Sequence, residues 1–128
     1  MTRYLALDVG DRRIGVAVAE DTFGIARPLP TLRRRDLAAD VRAVGEIADR
    51  EEATRLVIGL PLTLRGEEGA QAQRTRRFAE ACVPLGLPVD LFDERYTTAE
   101  AVRLGAPDVD AAAAALLLED FLRERRPP

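Results

Sequence analysis

Two apolar segments joined by a short polar turn open the chain, and they limit the folds that it can adopt. Residues 4–9 read Tyr-Leu-Ala-Leu-Asp-Val, and residues 14–19 alternate apolar residues with Gly or Ala. The turn at residues 10–13 is short enough to join two antiparallel strands as a hairpin. Because the first segment is mostly apolar, we expect it to be a central strand of a sheet.

Downstream segments alternate between strand-like and helix-like patterns. This order predicts an α/β fold, in which a mixed five-stranded sheet carries helices on both faces. Residues 24–32 contain Pro28 and Pro30, which confine that strand to a sheet edge. The other predicted elements are a helix capped by Asp36 with Leu37, Val41, Val44, Ile47 and Ala48 on one stripe, strands at 55–60 and 87–92, and helices at Ala70–Cys82 and 108–125. Residues 97–100 match a capping box and are predicted to open a further, short helix.

Length and composition predict one globular domain over residues 1–128. Apolar residues make up 47% of the chain and charged residues 32%, a mixture typical of a folded protein. No apolar run approaches the roughly 18 residues of a membrane span, and no signal-peptide pattern is present. We therefore expect a cytoplasmic protein without a membrane partner.

The missing residue types exclude several kinds of chemistry. The chain has no His, Lys, Ser, Asn or Trp, and Cys82 is its one cysteine. Ser-His-Asp triads, Schiff-base or phosphate-loop lysines and multi-cysteine metal sites are therefore excluded. Carboxylates that act through bound metal ions become the leading option for an enzyme. We interpret Cys82 itself as a small buried apolar residue.

Asp8 and Glu94 are acidic residues at predicted strand ends. Asp8 closes an apolar strand, where burial is expensive unless the carboxylate is paired or binds metal; a turn-forming role is the alternative. Glu94 follows the last predicted strand, and a surface ion pair is its alternative. Asp93 competes with Glu94, because strand alternation places the two on opposite faces.

Asp110 is the third acidic candidate. It shares the inward stripe of the last helix with residues 113, 114, 117 and 121, whereas Glu119 is predicted on the solvated side. The alternative role for Asp110 is a helix cap, which Asp108 could provide equally well. Converging carboxylates repel each other unless a cation neutralises them, and oxygen-only ligands favour Mg²⁺ or Mn²⁺. Two such ions, about 3.5–4 Å apart, can drive phosphodiester hydrolysis.

All positive charge is arginine, whose planar fork suits phosphate. The net charge of −3 weighs against tight nonspecific nucleic-acid binding. Arg12 and Arg13 follow Asp8, and Arg95 follows Glu94, so we predict that these three arginines guide substrate phosphates past the acids. The alternative is that these arginines only form a solvated surface and keep the hairpin soluble.

Five segments form a set of motifs along essentially the whole chain: LALDVGDRRIGVA (5–17), ARPL (26–29), GLPL (59–62), DERYTTAEA (93–101) and VDAAAA (109–114). In this order, they resemble the motifs of the YqgF (RuvX) family. This resemblance implies an RNase H-like fold, related to Holliday junction resolvases, and a bacterial nuclease that processes the 5′ end of pre-16S rRNA during ribosome biogenesis.

The resemblance also implies which residues act. It assigns catalytic and metal-binding roles to Asp8, Glu94 and Asp110, with Mg²⁺ or Mn²⁺, as two ions, for the cofactor. Two departures concern substrate contacts: residues 104–108 are short and lack a basic turn, and Arg65 replaces a small acidic or polar residue.

Other functions stay open at this level. Within the nuclease class, branched DNA is the alternative substrate to an RNA precursor, and resolving a junction calls for a symmetric homodimer. A largely non-catalytic nucleic-acid-binding or assembly protein, acting on ribosomal assembly intermediates, is a second alternative. An actin- or hexokinase-type ATPase is a third, although that architecture needs two such domains.

Overall fold

Five strands form one mixed sheet in a computed structural model of the chain, which describes residues 2–22, 24–63, 65–94, 105 and 107–125. The strand order is β3-β2-β1-β4-β5. The elements are β1 (Arg3–Val9), β2 (Arg13–Glu20), β3 (Arg27–Arg33), α1 (Leu37–Arg50), β4 (Arg55–Pro61), α2 (Ala70–Cys82), a 3₁₀ turn (Val83–Leu85), β5 (Val89–Glu94) and α3 (Val109–Arg125).

The hairpin at the start of the chain forms the centre of the sheet, as predicted. β1 pairs antiparallel with β2 and parallel with β4, and β4 pairs parallel with β5. β3 lies at an edge, which confirms the prediction from Pro28 and Pro30. Its register with β2 shifts, so that Pro30 and Thr31 both stand opposite Gly15. A proline that lacks an N–H group is well tolerated in such a bulge.

Helices cover both faces of the sheet, which confirms the predicted layers. α1 and α2 pack on the face that carries Leu5 and Leu7. α3 packs on the opposite face, where Tyr4, Ala6 and Ala17 are buried against it. The small alanines on this second face let the helix come close to the strands. The α3 side of the interface is formed by Ala114, Leu117, Leu118, Phe121 and Leu122.

Several details differ from the sequence expectations. β5 begins at Val89 and extends to Glu94, so Glu94 belongs to the strand. The prediction that Leu37 joins the buried stripe of α1 is wrong, because its side chain is 47% exposed. The prediction that Glu119 is solvated is also wrong, because its carboxylate accepts a hydrogen bond from the backbone N–H of Ala26 at 3.0 Å. The capping box at 97–100, which is predicted to open a short helix, lies outside the described residues.

Cys82 is fully buried in the α1/α2 core, as predicted, and this burial raises the pKa of its thiol to about 11. Among the helices of the described ranges, none combines the length and the hydropathy that a membrane crossing requires.

Candidate active site

The first turn of α3 lies directly against β2 at Gly15. A Cβ atom added to Gly15 would stand 1.9 Å from the carbonyl oxygen of Asp110 and 2.5 Å from its carbonyl carbon. Every residue other than glycine would therefore push the helix away. Gly15 is also the register partner of Asp8 in β1. This contact brings the backbone of Asp110 onto the strand pair that carries Asp8.

Asp8 occupies the face of the sheet that α3 covers. Strand alternation places it with Tyr4 and Ala6, which are buried against α3, and opposite to Leu5 and Leu7. The residue is half-buried. Two of the three predicted acids, Asp8 and Asp110, are therefore brought to the same face at the same end of the hairpin.

Asp108, rather than Asp110, caps α3. The backbone N–H of Ala111 donates to Oδ1 of Asp108 at 3.2 Å. The hydroxyl of Thr31, in the bulge of β3, also donates to both Asp108 oxygens, at 2.9 and 2.8 Å. The capping role that the sequence left open between the two acids belongs to Asp108, and the carboxylate of Asp110 makes a different contact.

Arg13 pairs with that carboxylate. Its Nε atom lies 2.9 Å from Oδ2 of Asp110, and the two side chains are 65% and 34% exposed. Ion pairs with this much access to water contribute about 0–1 kcal/mol, so a ligand can displace them at little cost. The sequence predicted Arg13 as a phosphate guide, and in the structure its guanidinium is paired with Asp110. Arg12, its neighbour in the turn, is exposed.

Glu94 ends β5 two residues after Phe92. Its backbone is in register with Pro61 of β4, and Phe92 is in register with Gly59. Phe92 packs against the α3 cluster, so strand alternation assigns the position of Glu94 to this same face. Asp93, the competing acid, has the opposite parity and is exposed. The side chain of Glu94 and all of Arg95 lie outside the described residues.

Gly59 of β4 lies between Asp8 and β5 in the sheet. The β1–β4 register runs to Leu7 and Ile58, and one further step places Gly59 beside Asp8. Gly15 is the neighbour of Asp8 on its other side. Neither glycine places a side chain beside Asp8, and the space over Gly15 is taken by the backbone of Asp110.

The donor chemistry of this face suits a hard divalent cation. All candidate ligands are carboxylates. Mg²⁺ and Mn²⁺ prefer such oxygen ligands, whereas zinc sites are usually built from Cys and His. No group of three or more Cys, Asp or Glu residues that could hold a metal ion exists among the side chains that the structure describes. Those side chains include Asp8 and Asp110 but not Glu94, so a three-carboxylate group would need Glu94 as its third member.

A buried ion pair that the sequence analysis missed holds the turn after Asp8. Arg34 donates from Nη1 to the carbonyl oxygen of Gly10 at 2.9 Å, and from Nε to Oδ2 of Asp40 at 3.0 Å. Its guanidinium also lies over the ring of Phe78, 5.3 Å from the centroid. Asp40 lies four residues before Val44, on the buried stripe of α1, and this spacing was the available signal.

The first turn of α2 holds the same hairpin. Gln71 donates from Nε2 to the carbonyl oxygen of Val9 at 3.0 Å, and Arg74 pairs with Asp11 at 3.3 Å. The neighbouring loop is joined to α2 by Arg76, whose hydrogen bond lowers the pKa of Glu68. Arg65, which departs from the family pattern, is exposed in that loop. The second departure from the family pattern is the short segment 104–108. The structure describes only residues 105, 107 and 108 of it.

Known proteins of one family are similar to this chain over nearly its whole length. The model of a family described as "RuvX: Holliday junction resolvase" matches residues 2–124. A protein of Anaeromyxobacter sp. (strain K), named "Putative pre-16S rRNA nuclease", is 42% identical over 98% of this chain and 99% of its own length.

Solved structures show the same fold at low sequence identity. Thermus thermophilus RuvC in complex with a Holliday junction substrate superimposes with a TM-score of 0.61 at 17% identity, over 98% of this chain and 96% of that one. Fowlpox virus resolvase in complex with junction DNA superimposes with a TM-score of 0.60 at 9% identity, over 96% and 98%. These likenesses confirm the predicted RNase H-like fold.

Proposed function

This chain belongs to the RuvX family, and we propose that it is a nuclease that hydrolyses phosphodiester bonds in nucleic acid with the help of divalent metal ions. The observation that carries the proposal is the close approach of Asp110 to Gly15, the register partner of Asp8. A helix start pressed onto a central strand has no need of a second acid for folding, since Asp108 already caps it.

Asp8, Glu94 and Asp110 are the residues that would hold Mg²⁺ or Mn²⁺. When bound, such ions, two in number, lower the pKa of an attacking water and neutralise charge on the phosphate. Asp8 and Asp110 contribute from the central hairpin and from α3, and Glu94 contributes from the end of β5.

The arginines next to these acids would orient the substrate. Carboxylates repel a polyanion, so cationic groups must compensate close to them. Arg13 contacts Asp110, and Arg12 and Arg95 adjoin Asp8 and Glu94 along the chain. Because its ion pair with Asp110 is exposed, the guanidinium of Arg13 would be able to turn to a phosphate if Asp110 held a metal ion.

We propose pre-16S rRNA, cleaved in the cytoplasm at its 5′ end during ribosome biogenesis, as the substrate. Support comes from the near full-length relatives that are named for this activity. The second candidate is a four-way DNA junction, which the family description and the RuvC and fowlpox complexes favour. That activity would require two active sites related by a two-fold axis, and therefore a homodimer.

One cleavage assay tests the proposal. The purified protein is incubated with an RNA that spans the 5′ end of pre-16S rRNA and, separately, with a synthetic four-way DNA junction, in Mg²⁺ or in chelator. We expect Mg²⁺-dependent cleavage of the RNA. The Asp8→Asn variant, which keeps the volume but removes the charge, should be inactive and should fold normally.

Three outcomes would contradict it. Symmetric cleavage of the junction without cleavage of the RNA would assign the second candidate function. Full activity of Asp8→Asn would show that the hydrolysis does not depend on this site. Binding without any cleavage in Mg²⁺ would indicate a non-catalytic assembly protein on the same fold.

A further inference from the structure

Two runs of arginine lie side by side at one end of the β2–β3 pair. Arg13 and Arg33 are register partners on antiparallel strands. The backbone N–H of Arg34 donates to the carbonyl oxygen of Arg12 at 2.8 Å, which aligns the rest of the two runs. Like charges placed directly opposite each other destabilise a strand pair. A chain of net charge −3 therefore concentrates positive charge where folding alone disfavours it.

In the part of the chain that the structure describes, three of these arginines have no acidic partner. Arg13 pairs with Asp110, and Arg34 pairs with Asp40. Within the described ranges, no ion pair is formed by the remaining three side chains, and all of them are exposed: Arg12, Arg33 and Arg35.

The acids beside this cluster do not compensate it, because each is engaged elsewhere. Asp11 pairs with Arg74 of α2 at 3.3 Å. Asp36 accepts the backbone N–H of Ala39 at 2.8 Å and so caps α1. The cluster therefore keeps uncompensated positive charge next to the face that carries Asp8 and Asp110.

We propose that Arg12, Arg33 and Arg35 form a phosphate track that binds the backbone of the RNA strand as it leaves the active site. This inference rests on the proposed nuclease function and specifies which surface the substrate crosses. Neighbouring strands are about 4.8 Å apart, so long side chains on the β2 turn and on β3 can reach successive phosphates. The planar guanidinium can donate two parallel hydrogen bonds to the oxygens of one phosphate.

The position of the track follows from its contact with the candidate site. Arg33 lies one strand away from Arg13, whose guanidinium contacts Asp110. The arginines of α2 are less available, since Arg74 and Arg76 are occupied by Asp11 and Glu68. The uncompensated charge therefore directs the strand toward β3 and the start of α1.

A salt titration tests the track. Fluorescently labelled single-stranded RNA is titrated with Asp8→Asn protein in chelator, at salt concentrations between 0.05 and 0.5 M, a range of about one decade. Each phosphate contact adds about 0.7 to the slope of log affinity against log salt for a single strand, which is about fivefold in affinity at 0.1 M salt. Arg33→Ala should lose one such contact, and the double variant Arg33→Ala/Arg35→Ala should lose about 25-fold.

Two variants serve as controls. Arg33→Lys keeps the charge and should retain the slope. Arg42→Ala removes an exposed arginine of α1 that makes no ion pair within the described ranges, and it should leave both slope and affinity unchanged.

The result that overturns the track is a double variant whose slope and affinity equal those of Arg42→Ala. If the wild-type protein still cleaves RNA in Mg²⁺, that result removes the track and leaves the nuclease proposal standing. A wild-type protein that neither binds nor cleaves nucleic acid removes both.

Discussion

Gly15→Ala is the substitution that probes most directly how the fold assembles the candidate site. The new methyl group would stand 1.9 Å from the carbonyl oxygen of Asp110, and ordinary contacts begin near 3.4 Å. The first turn of α3 must therefore retreat from β2 by about 1.5 Å, the difference between those two distances. Because Asp8 is the register partner of Gly15, this retreat separates Asp110 from Asp8.

The separation should affect activity more than folding. Overpacking by one methyl group costs about 1–3 kcal/mol, and for a domain of this size each kcal/mol lowers Tm by about 4 °C. A misplacement of about 1 Å in a catalytic group can reduce the rate about a hundredfold. We therefore expect a folded variant whose Tm falls by about 4–12 °C and whose Mg²⁺-dependent cleavage falls about a hundredfold.

Gly45→Ala is the matched control. Its added methyl group meets Cδ2 of Leu85 at 2.9 Å, the flexible end of a side chain, and lies in the interior of α1. The gain in helix propensity of about 1 kcal/mol offsets the cost of shifting the end of Leu85. This variant should therefore be as stable and as active as the wild type. Circular dichroism and single-turnover cleavage, both well below the lower Tm, measure the two effects. Wild-type cleavage by Gly15→Ala would refute the role assigned to this contact.

Three further changes have defined outcomes. Asp108→Ala removes the α3 cap and should lower the free energy of unfolding by about 1 kcal/mol in urea denaturation; an unchanged value would contradict the capping role. Asp40→Ala removes the carboxylate that pairs with Arg34 and should lower the free energy of unfolding by about 3 kcal/mol. A loss smaller than that of Asp108→Ala would show that the pair contributes little to stability. Because burial raises the pKa of Cys82 to about 11, the unfolded chain loses this proton first, and stability should fall as the pH rises from about 9 to 11. Cys82→Ala should lack that extra pH dependence, and equal curves for the two proteins would contradict it.

Local pattern was sufficient for most of the architecture. The apolar runs around Asp8 and the two prolines of β3 indicated the central hairpin and the sheet edge, because strand position follows from burial and from missing N–H donors. The inward stripe of the last helix correctly placed Asp110 toward the sheet. Residue types that were absent, above all His and Lys, limited the chemistry to carboxylates and arginine.

Local sequence pattern could not predict the contacts between residues that are far apart in the chain. Glu119 appeared solvated on its helix, yet it accepts the N–H of Ala26, which is 93 residues away. The choice of Asp108 over Asp110 as the cap depends on Thr31 in the β3 bulge. The role of Gly15 depends on where α3 docks, because the alternation of small and apolar residues in β2 does not specify which helix covers it.

A direct titration with Mn²⁺ tests the central claim, that Asp8 and Asp110 share a divalent cation on the face beside Gly15. Calorimetry can follow binding by the wild-type protein, Asp8→Asn and Asp110→Asn without any substrate, so the result does not depend on cleavage. We predict saturable binding by the wild type and a loss of at least about tenfold in affinity for each variant, as expected when a charged ligand is removed. Wild-type affinity in both variants would contradict the account.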